Sequence, residues 1–410
     1  MTTAAARIIS SIPHGSSVFL PGSAAEIRSL STALVAPDAP PLHLTTSYVP
    51  GINPTLAGKL PNGGRLAGPF AAGPRGVQAS GSMNHLPMSY GTFRRHLPSA
   101  NFDWLVVHVA PPDGNGRASL GPSVEFTPIV LKRAARLAVV VNPNIPVIPG
   151  ASTIDISAAD VVTEIDEPLV EYDVGAPSPQ SDAIARAVAS LIDDGAALQI
   201  GLGKVPDALL RLLADRRCLR LQSGMLSDGT RLLQEAGALD ADFIHTSCVH
   251  VGTRAYYDWL AGRDGLAVLG CDHTHSPAVL GSVDRLITVN SALSVDLFGQ
   301  ANLEMLDGRA ISGVGGAADF SRAASLSPTG ISIVALPSVS NDGAISRVVG
   351  SIDGVVSIPR HDIDVIVTEH GIADLRGATT IERGERLISV AAPQHRADLE
   401  TAWRQIAGRL

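Results

Sequence analysis

Histidine and cysteine side chains gather in two short stretches of the second half of the chain. The first stretch holds His245, Cys248 and His250, and the second runs from Cys271 to His275 with the sequence Cys-Asp-His-Thr-His. Imidazole, thiolate and carboxylate groups are zinc ligands, and imidazole also serves as a general base near neutral pH. The spacing matches no structural zinc module, and two polar strand ends beside a pocket would explain these residues equally well. We therefore predict no bound metal.

A glycine-rich run could do chemistry through its backbone. It consists of Gly313, Val314, Gly315 and Gly316. Glycines at this density let the main chain pass close to a ligand and present several N–H groups together. Such donors suit the oxyanion that develops when a thioester carbonyl is attacked. A tight loop without a ligand explains the same run, and the spacing alone leaves both interpretations open.

A second glycine turn, Gly201-Leu202-Gly203, could hold a phosphate at the start of a helix. A dinucleotide-binding fingerprint would place a third glycine where Pro206 stands, and no acidic residue stands out at the ribose position. We interpret this segment as a backbone turn into a helix that starts near Pro206, where the missing N–H of proline costs nothing.

The elements that must position these residues alternate between short apolar strands and helices. This alternation predicts an α/β fold with mostly parallel sheets. A helix is predicted at 24–34, and strands at 17–20, 104–110, 137–141 and 196–200.

The segment 175–181 (GAPSPQS) is the best candidate for a domain boundary, because it is rich in proline, glycine and serine. After it, Ser181 can cap a helix with apolar residues at helical spacing, and a strand and a second helix follow. The pattern of the first half thus restarts. We predict two related α/β domains, formed by residues 1–178 and 179–410.

The composition favours a globular enzyme and excludes several other classes. The 410 residues suffice for two cores, and 45% of them are hydrophobic. Aromatic residues make up 4% and the net charge is −8, so nucleic acid would find neither stacking platforms nor a basic stripe. No apolar run approaches the ~20 residues of a membrane span, and the N-terminus has no signal-peptide pattern. Because the chain has three cysteines without disulfide spacing, we expect a cytoplasmic protein. We also expect it to form a homodimer.

Six ordered segments of the second half carry a family resemblance: IGLGKVPDALL from Ile200, LSDG from Leu226, NSALSVDLFGQ from Asn290, SGVGGAADF from Ser312, ALPSVSNDGAISRVV from Ala335 and TEHGIADLRG from Thr368. The first half adds APPD from Ala110, SLG from Ser119 and a linking segment that starts NPNIPVIPG at Asn142. Together they resemble the acetyl-CoA hydrolase/CoA-transferase family, which includes 4-hydroxybutyrate and butyryl-CoA:acetate CoA-transferases. The resemblance covers most of the chain.

The resemblance implies two related α/β domains with the active site between them and coenzyme A bound mainly by the second. Enzymes of the family use a glutamate that attacks the thioester, and an acceptor carboxylate then takes the CoA from the glutamyl-CoA intermediate. The backbone of residues 313–316 would hold the oxyanion. Ser346 and Arg347, in the segment from Ala335, would bind coenzyme A.

The chain departs from the family at the catalytic segment. Where the family has T-E-M-(F/I)-S-D-G, this chain reads SGMLSDG from Ser223, so Gly224 stands at the glutamate position, and Ala317 replaces the usual glutamine after the double glycine. We therefore expect hydrolysis of an acyl-CoA by water in preference to glutamyl-CoA transfer. The candidate general bases are His273, His275, Asp272 and His250, followed by Asp228 and Glu125.

Two other functions fit the same sequence. One is transfer of CoA between an acyl-CoA and a small carboxylate, with a glutamate supplied from an unexpected position. The other is CoA binding without catalysis, either alone or as a subunit that completes the site of a partner.

Overall fold

The computed structural model of the chain describes residues 3–56, 60–71, 78 and 81–409. Met1 and Thr2, where the N-terminal segment begins, lie outside the described residues. The α-helices are α1 (Ala4–Ser11), α2 (Arg28–Leu34), α3 (Tyr90–His96), α4 (Thr127–Leu131), α5 (Pro179–Ala189), α6 (Lys204–Leu212), α7 (Gly229–Glu235), α8 (Arg254–Leu260), α9 (Cys271–Thr274), α10 (Pro277–Gly281), α11 (Ala317–Leu326), α12 (Thr380–Ser389) and α13 (Arg396–Ala407).

The first half of the chain forms a sheet of seven parallel strands. They are β1 (Ser17–Leu20), β2 (His43–Thr46), β3 (Arg65–Gly68), β4 (Met83–His85), β5 (Phe102–Val109), β6 (Ala134–Val141) and β7 (Val161–Glu164), in the order β7-β6-β5-β1-β2-β3-β4. The central strands are continuous apolar runs, as expected for a parallel sheet covered on both faces. Along β5, Leu105 and Val107 belong to one hydrophobic core, whereas Trp104 and Val106 belong to the other.

The second half forms a sheet of six strands. They are β8 (Ala197–Ile200), β9 (Arg220–Leu221), β10 (Leu286–Asn290), β11 (Ile331–Ala335), β12 (Val365–Thr368) and β13 (Gly371–Asp374), in the order β9-β8-β10-β11-β12-β13. All neighbours are parallel except β13, which runs antiparallel to β12. The prediction of an α/β fold with mostly parallel sheets is confirmed.

Short strands form the remaining sheets. They pair Arg117–Ser119 with Thr153–Asp155, Met225–Leu226 with Val249–His250, Met305–Leu306 with Arg309–Ala310, Ser294–Asp296 with Ala301–Asn302 and Val348–Val349, and Leu266–Val268 with His245–Ser247 and Gly150–Ala151.

The stretch 245–271 belongs to the second half by sequence but packs on the first. Its strand Leu266–Val268 pairs with Gly150–Ala151. Its buried Tyr256 and Cys271 lie in the same hydrophobic core as Val107 of β5. We retain residues 1–178 and 179–410 as a proposed division, with this stretch reaching across it.

Three local predictions differ from the structure. The predicted helix at 24–34 is a 3₁₀ turn, Ser23–Ala25, followed by the shorter α2. Helix α5 is capped by Ser178, and Ser181 completes the capping box from the third helical position. The run 271–275, interpreted as a strand end, is the single helical turn α9 and the residue after it.

At the junction between the halves, residues that follow β3 and β4 contact residues 312–319 of the second half. Backbone hydrogen bonds between the halves include one from Ala71 N to Ser312 O at 3.2 Å and one from Tyr90 N to Gly315 O at 2.9 Å. Asp319 of α11 also accepts hydrogen bonds from Ser89 Oγ and Gly91 N, both at 2.9 Å. Ligands of open α/β sheets bind at the carboxyl ends of the strands, so this junction is the place to look for a site.

None of the described helices has the length and apolar character needed to cross a bilayer.

Candidate active site

Gly224 lies opposite an imidazole ring. It follows β9, and its carbonyl oxygen accepts hydrogen bonds from Cys248 N and Val249 N, both at 3.1 Å. A Cβ atom at position 224 would stand 3.3 Å from Nε2 of His275 and 3.6 Å from the ring of Phe320. Gly224 is not among the described glycines with positive φ, so its backbone does not oppose a side chain. A side chain at 224 would therefore begin in tight contact with His275.

His275 is buried, and other groups fix its orientation. Thr274 Oγ1 lies 2.9 Å from Nδ1, and the ring packs against Tyr90 and Phe320 with centroids 5.2 and 5.1 Å away. Because Nδ1 is engaged by Thr274, Nε2 is the nitrogen directed towards Gly224. Burial, with a smaller contribution from the positive charge of Arg94, lowers the pKa of His275 to about 3, so the ring is neutral near pH 7.

The glycine run packs closely against both halves. A Cβ at Gly313 would overlap the carbonyl oxygen of Pro69, and one at Gly316 would overlap Nε2 of His275. Gly315 has a φ of +57°, which favours glycine, and its carbonyl accepts the hydrogen bond from Tyr90. Among the described residues, none accepts a hydrogen bond from the amides of Val314, Gly315 or Gly316. Both predicted interpretations of the run, a tight loop and a set of donors, thus remain compatible with its geometry.

Tyr90, Gly224, His275, Gly316 and Phe320 form one surface, which we call the His275 wall. The sequence analysis had identified Gly224, His275 and Gly316 but missed the two aromatic residues. Tyr90 is the first residue of α3 and Phe320 lies inside α11, so their spacing predicts ordinary helix packing. Their role as supports of the imidazole becomes visible only when the two halves are brought together.

Two cysteines adjoin the wall. Among the described residues, Cys248, Cys271 and His275 form a buried group whose ligand atoms all lie within 4.8 Å of one another. Cys248 Sγ is 3.1 Å from the carbonyl oxygen of Gly224. Burial raises the pKa of the Cys271 thiol well above its usual value, and neighbouring Cys248 and Glu125 raise it further. The group could therefore serve as apolar packing, as a thiol pair or as a metal site.

Glu125 is a fully buried carboxyl group held by hydroxyls. It accepts hydrogen bonds from Ser47 Oγ at 2.5 Å, Tyr90 Oη at 3.1 Å and Ser23 Oγ at 3.2 Å. Burial raises its pKa to about 6, although these hydrogen bonds oppose the shift. Its φ is +40°, and such strained backbone is common at functional sites. Through Tyr90, the structure connects this sequence candidate to the His275 wall.

The remaining candidate bases have other surroundings. Asp272 and His273 are exposed. His250 is buried with Nδ1 2.6 Å from Tyr256 Oη, and burial lowers its pKa to about 3. Asp228 accepts hydrogen bonds from the backbone and side chain of Thr253.

Ser346 and Arg347, the predicted CoA-binding pair, lie elsewhere in the second half. Ser346 Oγ donates to the carbonyl of Val348 at 2.7 Å. Burial lowers the pKa of Arg347, and the charge of Glu369 opposes this shift. Glu369 follows β12 and accepts hydrogen bonds from the backbone and hydroxyl of Ser338, just beyond β11. Arg347 thus joins a polar cluster at the carboxyl end of the second sheet.

A cleft of about 640 Å³ opens beside His275 between α10 and α11. Apolar side chains contribute much of its lining, and Arg322 pairs with Asp362 there at 2.7 Å. Its apolar lining residues are Pro277, Leu280, Ala318, Ala323 and Leu326. A volume of this size is in the range of small-molecule sites, and the cleft borders the imidazole.

Known proteins resemble this chain in sequence and in structure. Residues 81–172 match the acetyl-CoA hydrolase/transferase N-terminal domain, and residues 252–403 match the acetyl-CoA hydrolase/transferase C-terminal domain. The 4-hydroxybutyrate coenzyme A transferase of Clostridium kluyveri is 34% identical over 311 residues, which are 74% of this chain and 72% of that protein. An acetyl-CoA hydrolase of Eremothecium gossypii is 27% identical over 363 residues, 76% of this chain and 67% of that protein.

The structural likeness extends over nearly the whole molecule. The crystal structure of RipA from Yersinia pestis superposes with a TM-score of 0.90 at 28% identity, covering 99% of this chain and 97% of that one. With both domains of the family matched, and a relative that shares one residue in three over most of its length, the chain is an enzyme that belongs to the acetyl-CoA hydrolase/transferase family.

Proposed function

We propose that this enzyme hydrolyses an acyl-CoA thioester, with water attacking the acyl carbonyl at the His275 wall. The observation that carries the proposal is the position of the imidazole. Its Nε2 occupies the space in front of Gly224, where the family resemblance expects a glutamate, and it borders Gly316 of the glycine run. With glycine at 224 and imidazole in front of it, water is the nucleophile that the wall can accept most directly.

The surrounding groups suit each part of this reaction. The oxygen of water forms a bond to the carbonyl carbon, the carbon–sulfur bond breaks, and the CoA thiolate leaves and is protonated. Negative charge that develops on the carbonyl oxygen can be stabilised by the amides of Val314, Gly315 and Gly316, which have no acceptor among the described residues. The apolar cleft beside His275 provides room for an acyl-CoA. A homodimer and a cytoplasmic location remain predictions.

The test measures release of free CoA from acyl-CoA in the absence of any acceptor carboxylate. His275→Ala should lower the rate by about 10²–10⁴-fold, the range expected when a positioned catalytic group is lost. The exposed His14→Ala variant is the matched control, and His273→Ala, on the exposed side of α9, should retain most of the rate. A folded His275→Ala variant that still releases CoA at the wild-type rate would exclude the proposed role of the imidazole.

A second candidate function is favoured by Glu125. Its buried carboxyl group adjoins Tyr90 of the wall, so it is the described carboxylate best placed to form a glutamyl-CoA thioester. Mass spectrometry of the protein after incubation with acyl-CoA separates the two functions. A covalent CoA adduct, absent from Glu125→Gln, would support transfer, whereas CoA release without an adduct supports hydrolysis. Binding of CoA without either outcome would support the third function, a CoA-binding subunit.

A further inference from the structure

The geometry points to a zinc site formed by Cys248, Cys271 and His275, with its fourth position open to water in front of Gly224. The inference that zinc binds here depends on these three residues alone. The inference that the bound zinc takes part in catalysis rests on the proposed hydrolysis. Three protein ligands and one open position, including the combination of two cysteines and one histidine, are the usual arrangement of catalytic zinc.

The distances between the three side chains suit a tetrahedral ion. Zinc–sulfur bonds of about 2.3 Å place two thiolates about 3.8 Å apart, and zinc–nitrogen bonds of about 2.0–2.1 Å bring the imidazole to a similar separation. The ligand atoms already lie within 4.8 Å of one another. Side-chain rotations that close the group by about 1 Å at most would therefore complete the three-ligand set.

The local fold explains why these residues converge. Cys271 begins the single turn of α9 and His275 directly follows it, four residues later, which places their side chains on the same face. Cys248 follows the strand His245–Ser247. Glu125 connects the two segments through its backbone, because its carbonyl accepts from Cys271 N at 2.7 Å and its amide donates to Cys248 O at 3.4 Å.

The groups around the three side chains leave one ring nitrogen available for a metal ion. Nδ1 of His275 is engaged by Thr274, the kind of outer contact that fixes the orientation of a ligating histidine. Nε2 is thus the nitrogen offered to the ion. The two positions that face it, 224 and 316, are both glycine, so no side chain at either position covers it.

The sequence analysis predicted no metal because the spacing matched no structural zinc module. That criterion applies to closed sites with four protein ligands. In the structure, three ligands from two segments meet beside the carbonyl of Gly224. The alternative is core packing without a metal, since buried cysteines often act as small apolar side chains. The position of His275 against both thiols is what favours an ion over packing alone.

A zinc ion here would supply a hydroxide nucleophile, which the His275 wall otherwise lacks. Zinc lowers the pKa of a bound water to about 7, so hydroxide becomes available at neutral pH. The hydroxide oxygen bonds to the acyl carbon and CoA leaves as thiolate, while water supplies the oxygen of the acid and the proton that CoA takes up. No oxidant or reductant is required.

The experiment measures zinc by elemental analysis of the full-length protein, after reconstitution with zinc and removal of loosely bound ions. We expect one equivalent per chain in the wild type. Cys248→Ser and Cys271→Ser should each reduce the content at least tenfold. The matched control is Cys218→Ser, because Cys218 is the exposed cysteine and should leave the content unchanged. Circular dichroism and melting temperature establish that each variant is folded.

Cobalt(II) provides a second measurement that does not depend on activity. Cobalt bound by the two thiolates should give a cysteinate-to-metal charge-transfer absorption in the wild type and in Cys218→Ser. His275→Asn should weaken metal affinity by about 10–100-fold or more while leaving the chain folded, since ligand and supporting contacts have effects of at least this size. Folded wild-type protein without zinc and without this absorption would overturn the inference, as would zinc retained equally by the two cysteine variants.

The outcomes also separate this inference from the proposed function. CoA release by a protein shown to be free of metal would reject the catalytic use of zinc and leave hydrolysis standing. Zinc bound by Cys248, Cys271 and His275, but no release of CoA from any acyl-CoA tested, would support the site and reject hydrolysis.

Discussion

At the scale of single residues, the contact between Gly224 and His275 determines what chemistry the wall can host. The imidazole stands where a side chain at 224 would extend, and Gly316 leaves room for it from the other side. The position of the imidazole therefore depends on glycine at both 224 and 316. Changing either glycine alone sets a new side chain against a buried ring.

A glutamate introduced at position 224 should form little CoA adduct while His275 is present, and should form the adduct when the His275 ring is removed. Gly224→Glu places its carboxylate against His275, an overpacking that costs about 1–3 kcal/mol. The double variant Gly224→Glu/His275→Ala has space for the carboxylate, so it should form a CoA adduct that mass spectrometry detects after incubation with acyl-CoA. The single variant should melt at a lower temperature and form little adduct. Equal adduct formation by both folded variants would show that the imidazole does not obstruct position 224.

The sequence identified much of this site but not its arrangement. Gly224 and the glycine run were found because they lie in segments that resemble a family, and His275 was found in a cluster of histidines and cysteines. His275 could not be distinguished from His273, since both are histidines on the same short run. What separates them is packing: His275 turns inwards against Phe320 of α11, nearly fifty residues later in the chain, whereas His273 remains exposed.

At the scale of elements, buried strands carry polar groups whose ionisation controls stability. His108 lies in β5 and is buried, and its Nε2 accepts a hydrogen bond from Asn142 Nδ2 at 3.0 Å. Burial lowers its pKa from the ordinary value of 6.5 to about 4. The neutral ring is thus the form that fits the folded strand, and the charged form is favoured in the unfolded chain.

The free energy of unfolding should therefore fall as the pH decreases from 6.5 to 4, because the unfolded chain binds a proton at His108 before the folded chain does. The contribution is about 3 kcal/mol. His108→Gln keeps an acceptor for Asn142 but does not titrate, so its urea-unfolding free energy should depend less steeply on pH over this range. His14→Gln, at an exposed position, is the control. An unchanged slope in His108→Gln would show that His108 does not couple folding to pH.

Element boundaries were predicted well for the strands and less well for the short helices. Strands at 17–20 and 196–200 agree with β1 and β8 to within one residue, because apolar runs bounded by turns specify them. The turn α9 was taken for a strand end, since four polar residues give no apolar period. Its helical form depends on contacts with the backbone of Glu125, which the sequence does not reveal.

At the scale of the whole molecule, polar contacts of α11 help to join the two halves. Asp319 at the start of α11 accepts hydrogen bonds from Ser89 and from the amide of Gly91 in α3. Burial raises the pKa of Asp319, and these two hydrogen bonds oppose the shift. The contact holds α11, and with it the glycine run, against the first half.

Asp319→Ala should lower the free energy of unfolding by about 1.5–3 kcal/mol, since hydrogen bonds to a charged group are lost and the amide of Gly91 loses its partner. Urea unfolding measures the change directly. Asp242→Ala, which removes an exposed carboxylate, should lie within about 0.5 kcal/mol of the wild type. A loss at Asp319 no larger than that of the control would show that this contact does not stabilise the junction.

The stretch 245–271 completes the first core late in synthesis, because it follows the whole first sheet in the sequence. It covers the core around Val107 and Phe126, yet the first sheet already ends at Glu164. A ribosome adds about 5–20 residues per second, so a nascent chain exposes that sheet for several seconds before its cover emerges. During this interval the apolar face is available to chaperones or to other nascent chains. Because Cys248 and Cys271 lie on the same stretch, the proposed metal site forms only when the first core is closed.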